Sequence, residues 1–337
     1  MKNNILKIVF VIIGTMIGAG FASGQEIYLF FFSFGLKGLI GIVISSILTY
    51  FVIYKTLKLI KNNQIETYSD FLDIFIKNKF IKKVLNISVN IFILITFFIM
   101  IAGFGAYFEQ QFGINSIWGS IILATLSFII FMTNVKGVIK VNEFLAPILV
   151  IFLIIIGIVN IKNLHLLELN NYITRTNNSS FVLSAIIYGS YNSILLIPVL
   201  LTLKKYINSD KQIIKITLIS SSILFLLSII IYLILVRVDV DITKLEMPAV
   251  YVVSNGFKIF KYIYGFIILG SIFTTAISLG TSFLQNICET KKSYPHLALL
   301  LCITSILISN FGFSNLVNYL YPIFGYLGIL QILKLIL

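Results

Sequence analysis

Four glycines, a serine, a glutamine and a carboxylate crowd one short stretch of an otherwise apolar chain. Residues 14–26 read Gly-Thr-Met-Ile-Gly-Ala-Gly-Phe-Ala-Ser-Gly-Gln-Glu, inside an apolar run that starts near Ile5 and resumes from Ile27 to Phe34. A helix in hydrocarbon has no use for these residues. Gly14, Gly18, Gly20 and Gly24 each weaken it by roughly 1 kcal/mol against alanine. A carboxylate such as Glu26 adds about 2.5–3.5 kcal/mol on insertion scales, which marks it as a candidate functional group. The stretch therefore predicts a helix broken inside the membrane. Breaking a helix frees backbone N–H and C=O groups, and in lipid they are tolerated only beside protein or a wet cavity. The new N-terminus favours an anion and the new C-terminus a cation, while glycine lets a ligand approach the bare backbone. One broken helix can then hold a carboxylate and a sodium ion together. Close helix packing explains small residues at this spacing, but packing needs no Ser23-Gly-Gln-Glu26.

Two further stretches carry polar groups into apolar segments. Tyr188-Gly-Ser-Tyr-Asn-Ser193 is expected to interrupt the sixth helix. Tyr188 and Tyr191 are three apart on one face; their rings could hold an ammonium ion, an attraction of about 2 kcal/mol when desolvated, or could simply pack. Ser271, Thr274, Thr275, Ser278 and Ser282 recur at spacings of three and four, so they share a helix face. Such hydroxyls either bond back to their own helix or offer hard oxygens to an alkali cation.

The elements that must position these groups are membrane helices. Of 337 residues 59% are hydrophobic and 11% charged, a balance that with repeated apolar runs marks an all-α polytopic membrane protein. Ten helices are expected, at about 4–34, 37–60, 84–108, 115–133, 142–161, 180–203, 211–236, 259–288, 295–310 and 315–336. An amphipathic piece around 68–76 is expected at the surface, and loops at 162–179 and 237–257. The first segment carries no cleavage site and is taken as a retained helix. With the N-terminus in the cytoplasm, 18 of the 25 lysines and arginines fall inside, so both termini are placed there. That bias also accounts for the net charge of +13 without nucleic acid. Trp118 reads as an interfacial anchor. Cys288 and Cys302 form no disulfide framework, and His165 and His296 no metal site. No phosphate loop, activated nucleophile or metal cluster supports an enzyme.

The whole chain, 1–337, reads as one transmembrane domain. Five helices in 1–161 and five in 179–337 would enter the membrane in opposite senses, an inverted repeat. Interrupted helices at matching positions of two halves point to a transporter's binding site.

The run from Ile17 to Glu26 resembles that of the YkvI-like bacterial membrane proteins. These are similar to the amino acid–polyamine–organocation (APC) superfamily, with its LeuT fold of five plus five inverted helices and broken first and sixth helices. The resemblance implies a secondary active transporter of a small amino-acid or amine-like solute in the bacterial cytoplasmic membrane. It would work by alternating access around a midplane site. It also implies Na+ as coupling ion, held by backbone oxygens of Gly14 and Ile17 with Ser271, Thr274 and Thr275. Substrate would meet Gly18, Ala19 and Gly20, faced by Tyr188, Ser190, Tyr191 and Asn192. Proton-coupled relatives place a lysine of the fifth helix where the sodium would be; here Lys140 stands at the membrane edge, which favours Na+. Glu26 departs from the sodium-coupled pattern. It could carry a proton, meet a cationic substrate or close an outer gate, and by the helical rise it lies about 10 Å beyond the break. The resemblance leaves a second role open, a ligand-sensing membrane subunit like those of spore-germinant receptors. No cofactor beyond the ion is expected, the partners are solute and lipid bilayer, and the oligomeric state is open.

Overall fold

The computed structural model describes residues 2–63, 65, 67–161, 180–238, 240–242, 245, 247–254, 258–288, 292–309 and 313–336. The predicted loop 162–179 lies outside them. The described chain is helical. In order come α1 (Lys2–Met16), α2 (Ala19–Ala22), α3 (Gln25–Phe30), α4 (Leu36–Asn63), α5 (Tyr68–Asp73), α6 (Lys79–Phe112) and α7 (Ser116–Met132). Then follow α8 (Asn134–Ile161), α9 (Phe181–Thr202), α10 (Asp210–Leu235), α11 (Pro248–Ser254), α12 (Lys258–Ile287), α13 (Tyr294–Ile308) and α14 (Phe313–Ile336). Each span expected from hydropathy is occupied by helix. Among the described residues, α4, α6, α8, α9, α10 and α12 contain stretches long and apolar enough to cross a membrane, while α1, α7 and α13 are shorter apolar helices.

The helices divide by what they face. Every residue from Val11 to Tyr28 is buried, and so is every residue from Ile187 to Leu201. α1–α3 and α9 are therefore the inner elements. α4 and α8 turn apolar side chains outward, with Ile40, Ile47 and Ile151 each more than half exposed, the pattern of a lipid-facing surface. α9 packs on α14 and α4; α1 packs on α8, α10 and α12.

Three expectations need correction. The sixth helix is not interrupted: α9 runs unbroken through 188–193. The stretch holds a single glycine and no proline, and two of its polar side chains bond within the helix. Asn192 Nδ2 donates to Tyr188 O at 3.0 Å and Ser193 Oγ to Ser190 O at 2.7 Å, which satisfies them without opening the backbone. The expected loop 237–257 contains a helix, α11, started by Pro248, whose fixed φ suits a first helical turn. The fifth helix begins at Asn134, not near 142, which puts Asn142 two turns inside it. Within 68–76 lies the short helix α5, Tyr68–Asp73, held by a capping box between Thr67 and Asp70 and burying Tyr68, Phe71 and Leu72.

Candidate functional site

The first helix breaks where the glycines crowd. α1 ends at Met16; Gly18 is extended, with φ −86° and ψ −171°. One helical turn, α2, follows before the chain swings through Gly24 at φ 83° into α3. A left-handed residue carries no steric penalty only when it is glycine. Gly18 and Gly24 thus bracket a single helical turn, Ala19–Ala22, at the break.

The carbonyls that lose helical partners are served from neighbouring helices. Thr275 Oγ1 of α12 donates to Gly14 O at 2.9 Å and reaches Thr15 O at 3.2 Å. Eleven residues earlier on the same helix, Tyr264 OH donates to Ala22 O at 2.6 Å. Ala249 N of α11 donates to Ser23 O at 2.9 Å. α12 therefore straddles the break, one hydroxyl on each side of it. This is the satisfaction that buried backbone requires in place of water.

Of the residues expected around a cation, the structure joins some and not others. Gly14 and Thr275 are in direct contact. Ser271 and Thr274 instead bond back to their own helix, to Ile268 O at 2.8 Å and Ser271 O at 3.0 Å. Ile17 forms part of the break, its N–H bonded to Ile13 O at 2.9 Å. Sequence reasoning missed Asn142. It is fully buried on α8, with Nδ2 donating to Val138 O at 2.8 Å and reaching Ser278 Oγ at 3.4 Å. Its Oδ1 has no hydrogen-bond partner and lies where a side chain on residue 14 would begin. Only glycine at 14 admits it. Gly14 O, Asn142 Oδ1 and the hydroxyls of Thr274, Thr275 and Ser278 thus gather at the end of α1, where the helix dipole is negative. That donor set is neutral, hard oxygen, the kind that suits an alkali cation.

The substrate-side residues converge through Glu26. Its side chain does not project outward along a straight helix. The turn at Ser23 and Gly24 brings it back, so that Glu26 Oε1 sits on the Cα side of Gly20 and Oε2 accepts a hydrogen bond from Tyr191 OH. The expected 10 Å separation fails because the helix is not straight. Gly18 packs beside Thr275 and Met100, and Ala19 beside Gly103 of α6. Tyr188, Ser190, Tyr191 and Asn192 lie on the continuous α9 facing α3 and α14. Next to Glu26, Gln25 Nε2 donates to Asn318 Oδ1 of α14 at 3.1 Å. Asn318 and Tyr321, three residues on, were also missed: both occur in a segment whose composition is that of an ordinary membrane helix.

The two ends of the bundle differ. A cavity of about 720 Å³ enters from one end, lined among others by Thr67, Asn134, Lys136, Lys204, Ser282 and Asn286. It is the end of the α1 N-terminus, for Lys7 lies 6.0 Å from the Tyr206 ring, which also lines the cavity. Ser282 is one turn beyond Ser278, so the cavity reaches towards the oxygen cluster. At the other end α11, Tyr264 and the Gln25–Asn318 pair close over the break.

This fold is shared with solved membrane transporters. The chain superimposes on a Na+-coupled sialic acid symporter with a TM-score of 0.65, covering 97% of this chain and 76% of that one at 13% identity. On the manganese transporter of Eremococcus coleocola the TM-score is 0.65, covering 98% and 78% at 13% identity. At such identity the likeness is one of fold. By sequence the chain is 29% identical over 333 residues to YkvI, an uncharacterized membrane protein of Bacillus subtilis (strain 168), covering 97% of this chain and 94% of YkvI. It is 25% identical over 341 residues to the uncharacterized protein YyaD of the same organism, covering 98% and 96%. No family model matches. The resemblance to YkvI at the first helix therefore extends along nearly the whole chain, and none of these similar proteins is described as an enzyme.

Proposed function

We propose that the protein is a secondary active transporter that moves a small amino-acid or amine-like solute with Na+ across the bacterial cytoplasmic membrane. On this reading residues 1–161 and 179–337 are the two five-helix halves of an inverted repeat, and both termini are cytoplasmic. The observation that carries it is the asymmetry around the broken helix. Gly14, Gly18, Gly20 and Glu26 are sealed from one end by α11 and approached from the other by the lysine-bordered cavity. A cavity that stops short of the buried site on one side, with closure on the other, supports an alternating-access reading. On this reading the lysines at the cavity mouth mark the cytoplasmic side, and the conformation is the one that faces inward. Na+ is assigned to the cluster of Gly14, Asn142, Thr274, Thr275 and Ser278, with Ile17 and Ser271 completing it once Thr275 releases the Gly14 carbonyl. Substrate is assigned to Gly18, Ala19 and Gly20 with Tyr188, Ser190, Tyr191 and Asn192, and Glu26 lies between the two groups.

The test is solute counterflow in liposomes holding the purified full-length protein, with Na+ replaced by choline in a parallel series. A Na+ gradient that drives uptake, weakened by Thr275→Ala, is the expected result. Binding without counterflow would make the protein a sensor, and uptake indifferent to Na+ and to Thr275 would remove the cation assignment.

A further inference from the structure

The first turns of α6 carry two stripes side by side. Lys79, Lys82, Lys83 and Asn86 recur at spacings of three and four, so they share one helix face. Phe80, Val84, Ile87 and Ile91 form the neighbouring stripe at the same levels. All four are exposed, Phe80 at 74%. The lysine stripe, with Lys77 just before it, faces Ser69 and Asp73 of α5 across a groove of about 330 Å³. Asp73 is the acidic side chain of that lining, and Lys82 Nζ is paired with it. Four lysines against one aspartate leave a surplus of three positive charges. At about 30 Å³ per water the groove has room for roughly ten waters, the scale of one phosphate-bearing headgroup. Behind the groove α5 is anchored to the bundle. It buries Tyr68, Phe71 and Leu72, and the Tyr68 N–H reaches Asn286 Oδ1 of α12 at 3.4 Å. Its cap, Thr67, lines the large cavity together with Asn286.

We propose that the groove between α5 and α6 binds the headgroup of an anionic phospholipid, whose acyl chains lie along the apolar stripe of α6. The inference does not use the transporter reading; it needs only that α6 crosses the membrane, for which it is long and apolar enough. Lysines that serve only to orient a chain in the bilayer need no groove. Here four converge on one concave site bordered by exposed apolar side chains, and a basic pocket beside a membrane helix suits an anionic headgroup. A soluble polyanion would match the lysines but leave Phe80, Val84, Ile87 and Ile91 uncovered. A zwitterionic lipid would cover that stripe but bring no net charge to the lysines. An anionic lipid satisfies both stripes at once, with the lysine stems resting on apolar surface and their ammonium groups at headgroup level. Because Thr67 and Tyr68 join the groove to the cavity, a lipid held here fixes α5 against α12 beside the cavity mouth.

The experiment titrates the purified full-length protein in detergent with phosphatidylglycerol, phosphatidylcholine or soluble sn-glycerol 3-phosphate. Thermal shift and native mass spectrometry are the readouts. Phosphatidylglycerol should raise Tm saturably and remain bound as an adduct, while the other two probes do neither. The double variant Lys79→Gln/Lys83→Gln should weaken the apparent affinity for phosphatidylglycerol about thirtyfold. Lys215 and Lys334 are exposed elsewhere on the chain, and Lys215→Gln/Lys334→Gln should leave that affinity unchanged. The proposal is overturned if phosphatidylcholine stabilises equally, which would make the contact one of acyl chains alone. It is overturned if glycerol phosphate stabilises equally, which would make the ligand a soluble anion. It also fails if Lys79→Gln/Lys83→Gln binds phosphatidylglycerol like the wild type, or if the distant pair loses as much, since the attraction would then belong to the net charge and not to the groove. The three probes on the wild type decide the matter if Lys79→Gln/Lys83→Gln does not fold.

Discussion

At the centre of the bundle α1–α3 and α9 lie side by side and handle their buried polar groups in opposite ways. α9 runs unbroken through 188–193 and turns Asn192 and Ser193 back onto its own carbonyls. α1 gives up its backbone continuity at Ile17 and Gly18, and its carbonyls are then met by Thr275, Tyr264 and Ala249 from elsewhere in the fold. The difference lies in what the neighbours supply. A polar side chain can satisfy itself within one helix, whereas a released carbonyl needs a donor from another. The helix with released groups is therefore tied to its surroundings by bonds that can be exchanged for ligands, and the continuous helix is the wall against which it works.

Substitutions sharpen this contrast. The largest effect is expected at Gly24. Its φ of 83° strains any other residue, and a methyl group would stand 3.0 Å from Leu235 and 3.1 Å from Ala249. Gly24→Ala should destabilise the protein by roughly 3 kcal/mol, read as a fall in Tm, and abolish uptake. A Tm equal to wild type would mean that the turn before α3 is not constrained. Gly14→Ala follows at about 2 kcal/mol, the usual range for overpacking. It drives the Asn142 amide away from the end of α1, so Na+-induced stabilisation should vanish with it; retained Na+ stabilisation would remove Asn142 from the cation cluster. Thr275→Val keeps the shape and strips the donor from Gly14 O and Thr15 O, a loss of about 1–1.5 kcal/mol with weaker Na+ dependence of counterflow. On α9, Ser193→Ala removes only a bond internal to its helix and should change stability by no more than about 0.5 kcal/mol. If Ser193→Ala matched Thr275→Val, the proposed division between a self-satisfied helix and a released one would collapse.

Much of this site is legible in the residues themselves. Close packing accounts for the glycines but not for the serine, glutamine and glutamate beside them, and the break occurs among these residues. The hydroxyl face of α12 is visible from its spacing, though only Thr275 of the three hydroxyls expected at the cation bridges to α1. The stretch 188–193 misleads for a physical reason: polar residues report that a segment needs partners, not where the partners are, and here the helix itself supplies them for Asn192 and Ser193 while Tyr191 finds Glu26. Asn142 could not be singled out, because hydropathy placed it at a helix boundary and only the earlier start of α8 buries it. Asn318 and Tyr321 gave no local sign, since their role depends on α14 packing against α9.

What the amino-acid sequence determined alone is the medium and the weak point. So few charges among so many apolar residues require lipid, and the glycines of 14–24 require that the first helix fail there. Tertiary structure decided which released groups are served by which helix, that Glu26 folds back over Gly20 to meet Tyr191, and that one end of the bundle is open while the other is closed. Helix breaking is a local property of the chain, governed by glycine entropy and φ. The pairing of a carbonyl or a carboxylate across helices depends on contacts between residues more than 100 positions apart, and no local pattern records those.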